Sequence, residues 1–355
     1  MSRLATSIIV LVAAAGSPAL AADWGESPED VYREAYSIEP KDWNEMGDET
    51  DSIHLETGLR YWYSMGSQNF EALGESFENT DTSHIVEAHL RVEDDSTRTY
   101  AKAWAGYSAA INGTFNDPNN LEEPLTGGKV GYAGADFGWN TFGDGHGSGA
   151  GVFAGYQYWN DSPRTTRTNF TTATSSGDVS YDPDTGEVFL PFDSVDNNID
   201  VNMLRLGVSG RAKLGDGMFD ITGEVAAVPY ATISGVIGGS GFDPDFLTPL
   251  GNYSFVKSSA TAIDGTGYGA MGELMFGVTP VENLTMRIGG RAWYLQGTAD
   301  ATYSAITLTD PSDSDGGNAP NYDTDPTVSN AHYIELEDPF SLFRYGLLAE
   351  LTYKF

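Results

Sequence analysis

Tyr345-Gly346-Leu347-Leu348-Ala349-Glu350-Leu351-Thr352-Tyr353-Lys354-Phe355 carries an apolar side chain at every second position and finishes on an aromatic. Side chains of an extended chain point alternately to opposite faces. Tyr345, Leu347, Ala349, Leu351, Tyr353 and Phe355 therefore share one face, and Gly346, Glu350, Thr352 and Lys354 share the other. Such a strand needs a greasy medium on one side and a hydrated or ion-paired interior on the other. The stretch reads as the closing strand of a transmembrane β-barrel.

Upstream, nine further runs alternate with the same period, each about 10 to 15 residues against the roughly 9 to 11 that a tilted strand needs to cross the hydrocarbon. They are 52–63, 84–93, 98–109, 129–141, 148–159, 200–213, 218–229, 266–278 and 283–296. In the first, Ile53, Leu55, Leu59, Tyr61 and Tyr63 oppose His54, Glu56, Arg60 and Trp62. The sixth switches parity near Met203 and Leu204, which predicts a β-bulge there. Ten is an even number, as in single-chain bacterial barrels.

Connections alternate between short and long. Short ones are Asp94–Thr97, Phe142–Gly147, Leu214–Gly217 and Pro280–Glu282, rich in turn residues; long ones are Ser64–Ser83, Ala110–Gly128, Asn160–Ile199, Tyr230–Gly265 and Gly297–Asp338. In outer-membrane barrels the short turns are periplasmic and the long loops extracellular. The expected fold is all-β, an antiparallel ten-stranded transmembrane barrel over 52–355, with both termini on the periplasmic side. The buried-core β-sandwich also alternates, but it seldom combines export with regular long-short connections and a terminal aromatic.

Residues 1–21 carry Arg3, an apolar stretch from Ile8 to Ala15 and the small-residue site Ala19-Leu20-Ala21, the pattern of a cleavable export signal. A polar lead-in over 22–51 follows, expected in the periplasm. No cysteine is present, which excludes a disulfide-stapled scaffold. With 51 acidic against 18 basic residues and a net charge of −33, a nucleic-acid partner is excluded as well.

By parity the inward face carries Arg60, Arg91, Arg98, Lys102, Arg205, Arg211, Arg287, Arg291, Arg344 and Lys354, met by Glu56, Glu87, Asp136, Asp200, Asp220, Glu224, Glu273 and Glu350. Buried charges are tolerated when paired and hydrogen-bonded. Ten strands lined by long, opposite charges should thus be largely blocked by an ion-pair network. The glycines of runs four, five and eight leave one wall with little side-chain volume, which keeps a narrow conduit for small polar solutes as the alternative.

The long connections are acidic and should collect divalent cations. Asp182-Pro183-Asp184-Thr185-Gly186-Glu187 resembles a calcium-binding loop, with Asp182, Asp184 and Glu187 as ligands, although Gly186 stands where the EF-hand wants Asp or Asn. No other cofactor is expected. Aromatics at strand ends, such as Tyr63, Tyr107, Trp139, Tyr158 and Tyr294, fit the girdles at the two water interfaces.

Ten strands, periplasmic termini and long outer loops resemble the omptin family of outer-membrane aspartyl proteases in architecture. That resemblance implies a water activated between an Asp pair and an Asp-His pair near the outer rim. Asp-x-His occurs once, as Asp144-Gly145-His146 in a short turn, and the Asp-x-Asp pairs Asp182/Asp184, Asp243/Asp245, Asp313/Asp315 and Asp323/Asp325 have no matched His. A looser rim cluster would comprise Asp81, His84, Asp161, Asp200, His332 and Glu335. Adjacent Ser83 and His84 point to opposite faces, so the outward wall holds no His-Ser couple of the lipid A acyl hydrolase kind. The closing strand, through Tyr353 and Phe355, resembles the signal read by the outer-membrane assembly machinery. The expectation is a monomeric, non-enzymatic barrel in a Gram-negative outer membrane with a structural, surface-interaction or adhesive role, in contact with membrane lipid; a narrow channel and an omptin-like hydrolase are the alternatives.

Overall fold

The closing strand completes a ring. The structure, a computed structural model, describes residues 53–72, 75–116, 122–143, 148–164, 169–172, 180–181, 188–189, 192–195, 197–215, 217–237, 254–257, 259–309 and 327–355. Its ten principal strands are β1 (Ile53–Ala72), β2 (Glu75–Asp94), β3 (Thr99–Asn116), β4 (Gly127–Gly143), β5 (Gly149–Arg164), β6 (Asn198–Leu214), β7 (Phe219–Ile237), β8 (Thr261–Val281), β9 (Leu284–Thr309) and β10 (Thr327–Lys354). Each pairs antiparallel with its sequence neighbours, and β1 pairs with β10, so no edge is left along the ring. Among the described residues no helix is long and apolar enough to cross a membrane. The segments expected as export signal and lead-in, residues 1–51, together with Asp144–His146 and Asp182–Glu187, lie outside the described residues.

Sidedness follows the alternation. Across the β1–β10 seam, Leu59 faces Leu351 and Tyr61 faces Ala349 outward, while Arg60 faces Glu350 and Glu56 faces Lys354 inward. Leu59 is 60% exposed and Leu347 68%, whereas Glu350 is 5% exposed. Eleven alternating residues at about 3.3 Å each, tilted by roughly 40°, span about 28 Å, enough for the roughly 25 Å apolar band of an outer-membrane barrel.

The strands run well past that band. β1 extends through 20 residues and β10 through 28. The connection expected over Ser64–Ser83 is ladder almost throughout, with Ala72 paired to Glu75. The other long connections likewise lose their flanks to strand. Above the band the outward face meets water, so Met65, Ser67, Asn69 and Glu71 no longer alternate against a greasy medium. The backbone hydrogen bonds continue without that cue.

Two expectations about facing fail for related reasons. β6 keeps one parity throughout, with Ile199, Val201, Met203 and Arg205 all buried inward. The irregularity belongs to β7, where Leu204 faces Tyr230 but Leu206 faces Ala227, and Val228 faces Gly269 but Ala231 faces Gly267. Pro229 and Tyr230 thus oppose one residue, and Pro229, lacking an N–H, suits a bulge. Asp200, expected inward, points out and accepts the Tyr158 hydroxyl at 2.5 Å.

Candidate functional site

Among the described residues the lumen gathers most of the buried charge, and it is layered. Climbing β1 from the short-turn end, its inward residues are Glu56, Arg60, Trp62, Ser64, Gln68 and Phe70. They pass through an ion-pair network, an aromatic layer, a second charged cluster and an apolar plug.

In the network Arg287 reaches Asp220 at 2.8 Å, Glu56 at 3.0 Å and Glu350 at 2.6 Å. Arg60 pairs with Glu350, with Glu87 at 3.0 Å and with Glu273 at 3.2 Å. Arg291 joins Glu87 and Glu273, each at 2.7 Å. Toward the opposite wall Arg205 contacts Asp136 at 3.0 Å and Glu224 at 2.5 Å, and Lys102 meets Glu224 at 2.9 Å. Nearer the mouth Arg211 and Lys354 converge on Glu56 at 3.0 and 3.5 Å, and Arg91 holds Glu93 at 2.6 Å. Shared partners keep each side chain ordered for several contacts at once, offsetting the desolvation each charge pays.

Arg98 stands outside this network. The ladder stops at Asp94, and Arg98 sits exposed in the turn with φ 57°, so strand parity does not reach it.

Above the charges Trp62, Tyr132, Trp159 and Trp293 form the aromatic layer. Tyr132 stacks on Trp159 at 5.0 Å, and Trp293 meets Trp159 edge-on at 4.5 Å. Guanidiniums cap both sides, Arg291 over Trp62 at 5.1 Å and Arg344 over Trp159 at 5.3 Å. Arg344 then binds Asp81 at 2.5 Å and Asp161 at 3.1 Å, with Ser83 donating to Asp81. Higher still Phe70, Phe77, Val130, Ile199, Ile233 and Leu295 close the lumen as an apolar plug, which the expectation of a polar interior did not include.

Nor is the glycine wall empty. Trp104 lies over Gly134 and Tyr100 over Gly138, each so close that a Cβ would overlap the ring. Aromatics from β3 fill the space that β4 vacates. The lumen keeps cavities of about 110 Å³ at the short-turn mouth, about 30 Å³ beside the aromatic layer and about 10 Å³ at Gln68, Phe77 and Ile199, and a wider hollow of about 500 Å³ is lined by Asn69, Glu71, Tyr268, Tyr294, Gln296 and Ser341.

The looser rim cluster does not assemble. Asp81 and Asp161 point inward to Arg344, His84 points outward with Nδ1 at 2.5 Å from the Tyr61 hydroxyl, and His332 meets Ser304 at 2.8 Å. Among the described residues the histidines near a carboxylate are His54, 3.0 Å from Asp95 beside the short turn, and buried His89, 3.9 Å from Glu350. Glu56, His89 and Glu350 bring ligand atoms within 4.8 Å of one another. That set does not suit a metal ion, because Arg60, Arg211 and Arg287 already occupy the carboxylates with positive charge.

At the end of β10, Phe355 donates its N–H to Leu55 O at 2.9 Å, and the Tyr353 and Phe355 rings meet at 4.8 Å on the outer wall.

No family model matches this chain, and no curated protein matches it in sequence. Solved structures do match in shape. The outer membrane protease OmpT from Escherichia coli superposes with a TM-score of 0.53 at 10% identity, covering 86% of this chain and 97% of that one. The translocator domain of autotransporter NalP from Neisseria meningitidis matches at 0.34 and 9% identity over 88% and 92%. The toluene transporter TodX from P. putida matches at 0.28 and 11% identity over 86% and 90%. The closed ring of ten antiparallel strands, greasy outside and charged within, has the fold of a bacterial outer-membrane β-barrel.

Proposed function

We propose that this protein is a non-conducting, non-enzymatic outer-membrane barrel with a structural or adhesive role at the cell surface, in which the ring is a rigid mount for outward-facing acidic segments. One observation carries this reading: above the charged network Trp62, Tyr132, Trp159 and Trp293 pack across the lumen, and Phe70, Ile199, Ile233 and Leu295 pack above them. The cavity of about 110 Å³ at the short-turn mouth ends below that packing, among Glu56, Arg60, Glu224, Glu273 and Arg287. A filled lumen removes the volume on which the conduit alternative rests. Its partners on this reading are outer-membrane acyl chains along the exposed Leu59–Leu347 face, the assembly machinery at Tyr353 and Phe355, and divalent cations at the loops. The barrel acts as a monomer.

Planar-bilayer recording tests it. Purified protein is expected to give no discrete conductance steps, and cells displaying the barrel are expected to adhere to surfaces more than cells lacking it. Reproducible steps altered by Trp159→Ala would establish the channel instead. Peptide cleavage lost on His84→Ala or His332→Ala would establish the hydrolase.

A further inference from the structure

Where β8, β9, β10 and β1 leave the apolar band, their outward side chains line the hollow of about 500 Å³. Register sets its floor. Tyr268 pairs with Gln296, Gln296 with Ser341 and Ser341 with Asn69, so these four stand in one row across four neighbouring strands. At about 4.8 Å between strands the row is about 14 Å long. One step further from the band Thr266 pairs with Thr298 and Thr298 with Pro339, and Glu71 lines the hollow with them. Tyr294 closes the lower side, and beneath it the outward face of β9 passes to exposed Ile288 and Met286.

Both tyrosine rings are held in place. Tyr294 donates its hydroxyl to Gln296 Oε1 at 2.9 Å, and Gln296 Nε2 donates to the Tyr268 hydroxyl at 2.6 Å. Ser76 in turn donates to Asn69 Oδ1 at 3.0 Å. Tyr268 stays 57% exposed and Tyr294 42%, so the rings remain open while one amide fixes them. An aromatic that only anchors a barrel turns its polar tip to the headgroups. Rings and polar atoms fixed beforehand lower the ordering cost of binding.

Charge narrows the ligand. Among the described residues no Lys or Arg lines the hollow, Glu71 does, and Asp264 faces Asp300 in the next outward row. Phosphate-bearing headgroups and acidic sugars are repelled by such a border. Acyl chains would leave Gln296, Asn69 and Ser341 without partners. A pyranose matches the set, because its C–H faces lie on aromatic rings while its hydroxyls take amide, hydroxyl and carboxylate partners.

We propose that this hollow binds a neutral saccharide of several hexose units presented from outside the cell, with Tyr268 and Tyr294 as stacking platforms and Gln296, Asn69, Ser341 and Glu71 as partners for its hydroxyls. The volume lies within the range of small-molecule sites. The site gives the adhesive role proposed above a ligand class, and it rests on that reading for its setting at the cell surface.

Saturation-transfer NMR on the full-length protein, folded in a zwitterionic detergent without a sugar headgroup, tests it with maltohexaose, cellohexaose, mannohexaose and N-acetylchitohexaose. At least one of the four is expected to give saturable transfer, strongest at its ring C–H protons. Tyr268→Ala and Tyr294→Ala should each weaken that binding at least tenfold, and Gln296→Ala severalfold. All three side chains face outward, so far-ultraviolet circular dichroism should stay as in the wild type. The site is overturned if none of the four binds, if the Tyr268→Ala/Tyr294→Ala double variant keeps the response, or if a heparin hexasaccharide competes as well as the neutral probes. Binding seen only to lipopolysaccharide reconstituted in the bilayer would also overturn it, since the ligand would then be the membrane's own glycolipid. Conductance steps with saccharide binding intact would remove the non-conducting mount and keep the site, and a silent bilayer with no saccharide bound would do the reverse.

Discussion

Arg287 and Glu350 stand directly opposite each other on β9 and β10, and their side chains meet at 2.6 Å inside the lumen. The same guanidinium also holds Asp220 and Glu56, so one cation serves three carboxylates. Removing it leaves buried negative charge unpaired, which costs about 3–5 kcal/mol. Arg287→Met is expected to lower the urea stability of the detergent-folded barrel by that order. The double variant Arg287→Met/Glu350→Gln should recover part of the loss, because it removes one of the stranded charges.

Trp159 is 1% exposed and touches Trp62, Tyr132 and Trp293. Trp159→Ala should destabilise the barrel by roughly 3–5 kcal/mol, as large-to-small core changes do. Equilibrium unfolding followed by far-ultraviolet circular dichroism reads the loss.

Gly134 and Gly272 provide a matched pair. A Cβ at Gly134 would overlap the Trp104 ring, whereas one at Gly272 would come no nearer than 3.9 Å to Glu224 O. Gly134→Ala should cost about 1–3 kcal/mol through overpacking. Gly272→Ala should be near neutral in the same unfolding assay. Equal costs at both positions would contradict the ring-over-glycine packing.

The turn joining β2 to β3 depends on Asp94. Its carboxylate accepts the Ser96 N–H at 2.9 Å, the Ser96 hydroxyl at 2.6 Å and the Thr97 hydroxyl at 2.9 Å. Those bonds, the Ser96 hydroxyl foremost, hold the carboxyl below its ordinary range. A depressed carboxylate contributes stability that is present above its unfolded value and lost as pH falls through the folded one. Exchange protection at 95–99 should therefore fade on acidification below the ordinary carboxylate range. Asp94→Asn should flatten that dependence.

Where a strand crosses the apolar band, its faces were legible in the sequence, because lipid outside and ion pairs inside impose opposite demands on neighbouring residues. Ile53, Leu59 and Tyr63 against Glu56 and Arg60 are one case, and Tyr345 to Phe355 another. Above the band both sides of the wall change. Water replaces lipid outside, and the interior becomes an apolar plug, so Val201 and Met203 point inward where parity rules learned lower down expect polar groups. That inversion imitated a bulge in β6, while the real one sat at Pro229 in its neighbour. Of the lumen network, pairing partners across the ring, such as Arg60 with Glu273, depend on which walls face each other. Nearest-neighbour pairs such as Arg60 with Glu350 depend only on register.

That last pair has a consequence for how the barrel comes into being. Arg60 lies on the first strand and Glu350 on the last, so their contact must wait until nearly the whole polypeptide has been laid down. Neighbouring hairpins form from nearby chain, but ring closure joins residues at maximal separation and is entropically the slowest pairing. Before it, Arg60 has Glu87 on β2 and Glu350 has Arg287 on β9, while Glu56 lacks the Arg287 and Lys354 that β9 and β10 bring. Joining the two margins of the sheet merges these separate pairs into one network through Arg60–Glu350 and Arg287–Glu56, so the seam works as a latch that engages several ions at once.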